Sequence, residues 1–259
     1  MKYGICHLSV IPCRLEPSDR SEQVNQLLFG ETVKVYEKKK TWYRVKSSYD
    51  DYECWIDQYQ FQFIAEKEYN SLIEKVPVVV TELIGLLRKK SDNSMMTVLC
   101  GSNLPHLHDN ILKLADQEWI YEGEAQSISS PFQKSRLVEN AFLLLNSPYQ
   151  WGGKSAFGID CSGFIQLIYK LNGIRLPRDA SQQAKLGQTL SFIEEAEEGD
   201  LAFFDNDEGK ITHVGMILKN NRIVHASGKV RIDRIDHQGI YNNELSDYSH
   251  RLRLITKIY

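Results

Sequence analysis

The sequence predicts an α+β chain in which one or two small all-β units precede a C-terminal unit of helices followed by strands. Three observations lead there. Short β-type runs broken by turn residues fill positions 1–64, an apolar helical face begins near residue 137, and a second helix is followed by strands from 200 to 258.

In the first stretch, residues 4–10, 26–28, 32–36, 42–46 and 53–56 are short β-type runs alternating with turn residues, the spacing of a small barrel or sandwich. The compact basic run, Lys38-Lys39-Lys40, reads as a solvated turn between two of these strands. Residues 66–75 read as a polar helix, and 76–80, 96–99 and 118–122 as a second, weaker set of strands. At Ser130-Pro131 a helix is predicted to start, the serine as its cap and the proline in its first position. Leu137, Val138, Ala141, Phe142 and Leu145 then share one helical face, which ends before Pro148. A loop, Tyr149-Gln150-Trp151-Gly152-Gly153, leads to a second helix over 161–171, closed by Gly173. Strands at 200–204, 213–218, 222–226, 230–235 and 251–258 complete the chain. The resulting division is 1–64, a linker with a possible second β unit at 65–126, and 127–259.

Of the 259 residues, 42% are hydrophobic and 25% charged, which excludes a disordered or fibrous chain. A net charge of -3 with mixed signs lacks the basic footprint that nucleic acid requires. The five cysteines, at 6, 13, 54, 100 and 161, are odd in number and widely spaced, unlike a disulfide framework or a zinc ribbon. They fit a reducing compartment. The first residues lack the continuous apolar stretch of a secretory signal, and no segment reaches the ~20 apolar residues of a membrane span. The expectation is a cytoplasmic protein without membrane or nucleic-acid partners.

The chemistry concentrates in the last third. Asp160-Cys161-Ser162-Gly163 opens the second helix, with Asp160 at the N-cap and Cys161 in the first turn. There the partial positive charge and free N–H groups of the helix end are expected to favour the thiolate and to bind an oxyanion. A buried structural thiol is the alternative. His213 begins one strand and His225 lies in the next, across a hairpin at Lys219-Asn220-Asn221-Arg222. A two-residue loop would pair Met216 with His225 and put the histidines on opposite faces. A three-residue loop or a bulge would pair Gly215 with His225, make the histidines diagonal neighbours, and use the missing side chain of Gly215 to make room for the imidazole. In that register Cys161, His213 and His225 suit the roles of nucleophile, base and orienter. No fourth ligand completes a metal site from one Cys and two His, so neither a metal nor any other cofactor is expected.

Six motifs accumulate in order: Pro-Tyr-Gln-Trp-Gly-Gly (148–153), Asp-Cys-Ser-Gly (160–163), Leu-Pro-Arg-Asp (176–179), Gly-Asp-Leu-Ala-Phe-Phe (199–204), His-Val-Gly (213–215) and His-Ala-Ser (225–227). Over about 131–259 the chain thereby resembles the NlpC-type cysteine peptidases that cut bacterial cell-wall peptides. The resemblance implies a papain-like core, Cys161 as nucleophile, His213 as base, His225 as third member, Tyr149 beside the nucleophile, and action on bonds between γ-D-glutamate and a diamino acid. Trp42-Tyr43-Arg44-Val45 and Tyr52-Glu53-Cys54-Trp55-Ile56 resemble strands of a bacterial SH3-like domain. The whole is similar to recycling enzymes that hydrolyse L-Ala-γ-D-Glu-diamino acid peptides, in which that domain walls off the site and reads the free alanine. By that likeness Tyr52, Glu16, Asp160, Ser162, Arg178 and Asp179 are candidate substrate contacts and a murein peptide is the partner. Two other readings stay open at this point: a wall-binding module with an inactive peptidase domain, and a thiol amidase or acyltransferase on the same core.

Overall fold

In the computed structural model, which describes residues 1–114, 116–128 and 132–258, the chain forms two compact units. One comprises residues 1–131 with 151–156, the other 132–150 with 157–259.

Alternation builds the first unit. Strands β1 (Lys2–Cys6), β2 (Val10–Arg14), β3 (Gln23–Leu28), β4 (Thr32–Lys39), β5 (Trp42–Ser47), β6 (Glu53–Asp57) and β7 (Phe61–Ile64) form a seven-stranded sheet in the order β3-β2-β6-β5-β4-β1-β7. Every second residue turns inward, so Ile11 and Cys13, Val33 and Val35, Tyr43 and Val45, and Cys54 and Ile56 meet in one core. Helix α1 (Glu66–Glu74) follows, burying Tyr69. Next come β8 (Val78–Val80), β9 (Ile84–Lys89), β10 (Met95–Leu99), β11 (Ile111–Leu114), β12 (Gln117–Glu122) and β13 (Ala125–Ser127), as a sheet β10-β9-β12-β11 and a pair β13-β8. Strand β9 is missing from the sequence reading because Gly85 interrupts its pattern. A Cβ there would lie 2.8 Å from the Tyr121 ring, so the glycine serves packing across the sheet. A second core joins this region to the first strands through Ile5, Phe29, Ile64 and Tyr69.

A short strap, residues 151–156, also belongs to this unit although it lies far along the sequence. It contains β14 (Lys154–Ser155). Lys154 Nζ is 2.9 Å from Glu31 Oε2, with side-chain exposures of 2% and 1%. The Lys154 N–H donates to Gln26 Oε1 at 2.8 Å and Trp151 Nε1 donates to Glu22 Oε1 at 2.6 Å. Gly152 has φ +69°, and a Cβ on it would stand 2.4 Å from the Gln23 carbonyl oxygen.

The second unit opens with α2 (Lys134–Leu143), whose N-cap position is Gln133, without a side-chain cap bond. The predicted cap at Ser130-Pro131 lies outside the described residues. Leu137 and Ala141 are buried as the periodicity requires, whereas Phe142, expected on the same face, is exposed. Then come β15 (Gly158–Ile159), α3 (Cys161–Lys170), α4 (Ala180–Gln183), β16 (Gln188–Leu190), β17 (Leu201–Asp205), β18 (Ile211–Leu218), β19 (Arg222–Ser227), β20 (Lys229–Ile235), β21 (Gly239–Asn242) and β22 (Asp247–Lys257). Their sheet runs β16-β22-β17-β18-β19-β20-β21, and β22 also pairs with β21. Strands β17 to β22 therefore close on themselves, which removes the exposed edges of an open sheet. Ala202, Phe204, Ile217, Ile223, Ile235, Ile240 and Ile255 pack as one core inside the ring. Helix α3 is buried along its whole length, as its apolar sequence demands, and packs on β18 and β19. Among the described residues, no helix is long and apolar enough to cross a membrane.

Candidate active site

The first turn of α3 is fixed by charge. Asp160 caps it, Oδ1 accepting the Gly163 N–H at 2.7 Å. Arg178 grips the same carboxylate with both forks, Nη1 to Oδ1 at 2.9 Å and Nη2 to Oδ2 at 2.6 Å, and Nη1 also donates to Ser162 Oγ at 2.9 Å. With Arg178 only 1% exposed, Asp160, Ser162 and Arg178 form one buried ion-paired cluster beneath the nucleophile position.

Cys161 sits at that helix end, its thiol donating to the Thr212 carbonyl of β18 at 4.0 Å. The expected bias toward thiolate is not the resting state. Burial pushes the thiol up to about 12, and the Asp160 charge adds to it. The N–H groups of Val214 and Ser162 and the Arg178 charge pull the other way and do not prevail. A sulfur removed from water gains less from a helix end than it loses in hydration.

The histidine register is the three-residue case. Gly215 pairs with His225 and Leu218 with Arg222, with Lys219, Asn220 and Asn221 as the loop, and both asparagines have positive φ, +60° and +52°. His213 and His225 therefore share a face, and His213 Nε2 meets His225 Nδ1 at 2.8 Å. A Cβ on Gly215 would lie 2.9 Å from His225 Cβ, the room that this register needs. That face is the interior of the ring: His213 pairs with Phe204, and Phe204 belongs to the enclosed core.

The chain of contacts extends further. His225 Nε2 meets Asp233 Oδ2 at 2.9 Å, and Asp233 in turn accepts from Arg231 Nε at 2.6 Å and Nη2 at 3.0 Å. A carboxylate can only accept, so the proton of His225 sits on Nε2 and its Nδ1 is an acceptor. His213 must then donate from Nε2, which leaves its Nδ1 unprotonated. Burial, then the neighbouring rings of His225 and His250, holds His213 well below the ordinary 6.5, so this imidazole rests neutral. His250 of β22 stacks on it, ring centroids 4.0 Å apart and planes 26° from parallel. Although His213, His225 and His250 have ring nitrogens within 4.8 Å of one another, stacking aims the in-plane lone pairs of His213 and His250 side by side instead of at one point. The facing nitrogens of His213 and His225 are also committed to each other.

Tyr149, partly buried, donates its backbone N–H to the Gly228 carbonyl at 3.0 Å. Burial, with the charges of Cys161 and Asp160, pushes its phenol up to about 12. Asp179 occupies the N-cap position of α4 without a side-chain cap bond. Thus Tyr149, Asp160, Ser162 and Arg178 gather around Cys161. Tyr52 and Glu16 belong to the first unit: Tyr52 packs against the barrel core before β6, and Glu16 lies exposed in the turn after β2, its N–H donating to Ser21 Oγ at 2.9 Å.

Comparison with known proteins agrees with this construction. Residues 146–248 match the NlpC/P60 family, and residues 14–60 the bacterial dipeptidyl-peptidase Sh3 domain. A protein of Bacillus subtilis named gamma-D-glutamyl-L-lysine dipeptidyl-peptidase is 30% identical over 213 residues, 78% of this chain and 71% of that protein. The chain belongs to the NlpC/P60 family. The dipeptidyl-peptidase 6 of Lysinibacillus sphaericus is 26% identical to this NlpC/P60 chain over 258 residues, 89% of this chain and 91% of the other. A crystal structure of an NlpC/P60 family protein from Bacillus cereus superposes with a TM-score of 0.85 at 20% identity, covering 99% of each chain, and so shares the fold. The NlpC/P60 chain is a cysteine peptidase with an N-terminal all-β SH3-like region and a C-terminal α+β peptidase domain.

Sequence reasoning missed Asp233, Arg231 and His250. For the first two a signal existed. Gly228, at φ +69°, is the tip of the β19–β20 hairpin, and centring the hairpin there pairs His225 with Arg231 and makes Asp233 its diagonal neighbour. His250 gave none, because it reaches the site through the ring closure of β22.

Proposed function

We propose that this NlpC/P60 peptidase is a cytoplasmic endopeptidase that hydrolyses the γ-D-Glu to L-diamino acid bond of murein peptides carrying a free N-terminal L-Ala, and that it recycles peptides released from the wall. The observation that carries the reading is the His213–His225 pair, whose tautomers present an unprotonated His213 Nδ1 on the strand that the Cys161 thiol touches. In this mechanism the thiol leaves Thr212 O and passes its proton to His213 Nδ1 as Sγ attacks the γ-glutamyl carbonyl. The N–H of Cys161, at the helix mouth, supports the oxyanion, since that of Gly163 is held by Asp160. Collapse expels the diamino acid amine, which takes the proton from His213, and water then releases the acyl group from sulfur.

The name of the Bacillus subtilis relative supports the bond assigned. For the free amine we assign Tyr52 and Glu16 of the first unit with Asp160, and for the rest of the peptide Tyr149, Ser162, Arg178 and Asp179. Because Arg178 already balances Asp160, selectivity for the amine rests on the hydrogen bonds that the ammonium donates, each roughly 1.5 to 3 kcal/mol. The test is hydrolysis of L-Ala-γ-D-Glu-diamino acid and of its N-acetyl form, read by product mass. Acetylation should lower kcat/KM roughly 10- to 100-fold, and Cys161→Ala should abolish turnover. Equal cleavage of both peptides would remove the free-amine assignment. Products cut at a different bond would favour an amidase.

A further inference from the structure

We infer that Asp233, clamped by Arg231, is a positioning residue of the catalytic relay: it fixes the tautomer of His225 and through it presents the lone pair of His213 Nδ1 to the thiol. The inference rests on His213 being the base. Its ground is the unbroken line His213 Nε2, His225 Nδ1, His225 Nε2, Asp233 Oδ2, with spacings of 2.8 and 2.9 Å, all within buried side chains. Without an acceptor-only group at its far end, the neutral His225 could carry its proton on Nδ1. His213 would then accept at Nε2 and carry its own proton on Nδ1, facing the thiol as a donor, where it cannot act as a base.

The carboxylate also does electrostatic work. Burial raises its proton affinity, but the bonds from His225 and Arg231 outweigh this and keep it ionised. When His213 takes the thiol proton, the new imidazolium is bonded to a ring whose other nitrogen is held by a negative charge. The groups facing this line are His250, stacked on His213; Arg231, whose Nη1 also donates to Glu244 Oε2 at 3.3 Å; and Asp233 itself. His250 is held at about 4 and is neutral at working pH. The charge balance at the imidazoles is therefore set by Asp233 against Arg231.

This gives two substitutions with opposite signs. The readout is the pH dependence of Cys161 alkylation by iodoacetamide in the full chain, followed by peptide mass, which requires no peptide substrate and so stands apart from the bond assigned above. Asp233→Asn removes a negative charge. It should lower the plateau rate at least tenfold and move the acid limb to lower pH, and Asp233→Glu should recover part of both. Arg231→Gln removes the opposing positive charge and should move the acid limb to higher pH. If Asp233→Asn fails to fold, the Arg231→Gln limb decides alone. An acid limb that stays in place in the folded variants, whatever the plateau does, would end the relay at His225 and reduce Asp233 to a structural partner.

Discussion

At the scale of single residues, burial keeps Cys161, His213 and His250 uncharged, and His250 makes this measurable. Partly buried, it is held at about 4 instead of 6.5, chiefly by burial, then by the neighbouring His225. Between those values the unfolded chain binds more protons at this residue than the folded one. Stability therefore rises with pH across the window and is lost as pH falls from 6.5 toward 4. His250→Phe keeps an aromatic face on His213 and removes the titration. Urea midpoints measured across that window should fall less steeply in the variant than in the parent; parallel curves would mean that His250 titrates in the folded chain as it does in the unfolded one. The same principle explains Cys161. Its place at a helix end was legible in Asp160-Cys161-Ser162-Gly163, but the depth of its burial, which reverses the expected charge, was not.

At the scale of elements, the site depends on one hairpin register. Asn220 and Asn221 both tolerate positive φ, so the sequence fits a two-residue turn as well as the observed three-residue loop. What separates the two is the interior face: only with Gly215 opposite His225 do Ile217 and Ile223 enter the ring together with the histidines. A Cβ at Gly215 would come within 2.7 Å of Ile223 Cδ1 as well as 2.9 Å of His225 Cβ. Gly215→Ala should accordingly force these strands apart, costing about 1–3 kcal/mol in thermal unfolding and at least tenfold in peptide hydrolysis through a displaced His225. Parent-like stability and activity would show that the strands yield at no cost. The helices were legible for a simpler reason. α1 and α3 lie within a residue or so of their predicted spans because local composition defines them, with the Asp160 cap fixing the start of α3, whereas β11 and β21 are four-residue strands given shape by neighbours distant in sequence and β9 is hidden by Gly85.

At the scale of the whole molecule, the strap at 151–156 ties a segment from the middle of the chain into the N-terminal unit through a fully buried ion pair. Removing one partner strands the other charge out of water. Lys154→Met should therefore destabilise the protein by about 3–5 kcal/mol. Adding Glu31→Gln should restore much of this, because the amide oxygen still accepts the Leu28 N–H that Glu31 Oε2 now takes at 3.0 Å. Urea unfolding of the two variants checks both signs, and a double variant no more stable than Lys154→Met would show that the strap is held by its other bonds.

The sequence by itself determined the class of each unit, the helix that carries Cys161, the two strands that carry the histidines, and the family to which the chain belongs, since all of these are written in local pattern and ordered motifs. Tertiary structure decided what lies between such segments: the hairpin register, the Asp233–Arg231 extension of the histidine line, the stacking of His250, and the membership of the strap. Each of these is a meeting of residues from separate strands or distant segments, selected by which side chains can be buried together with their polar groups satisfied. Periodicity along one strand says which residues share a face; only the closed ring says which of them touch.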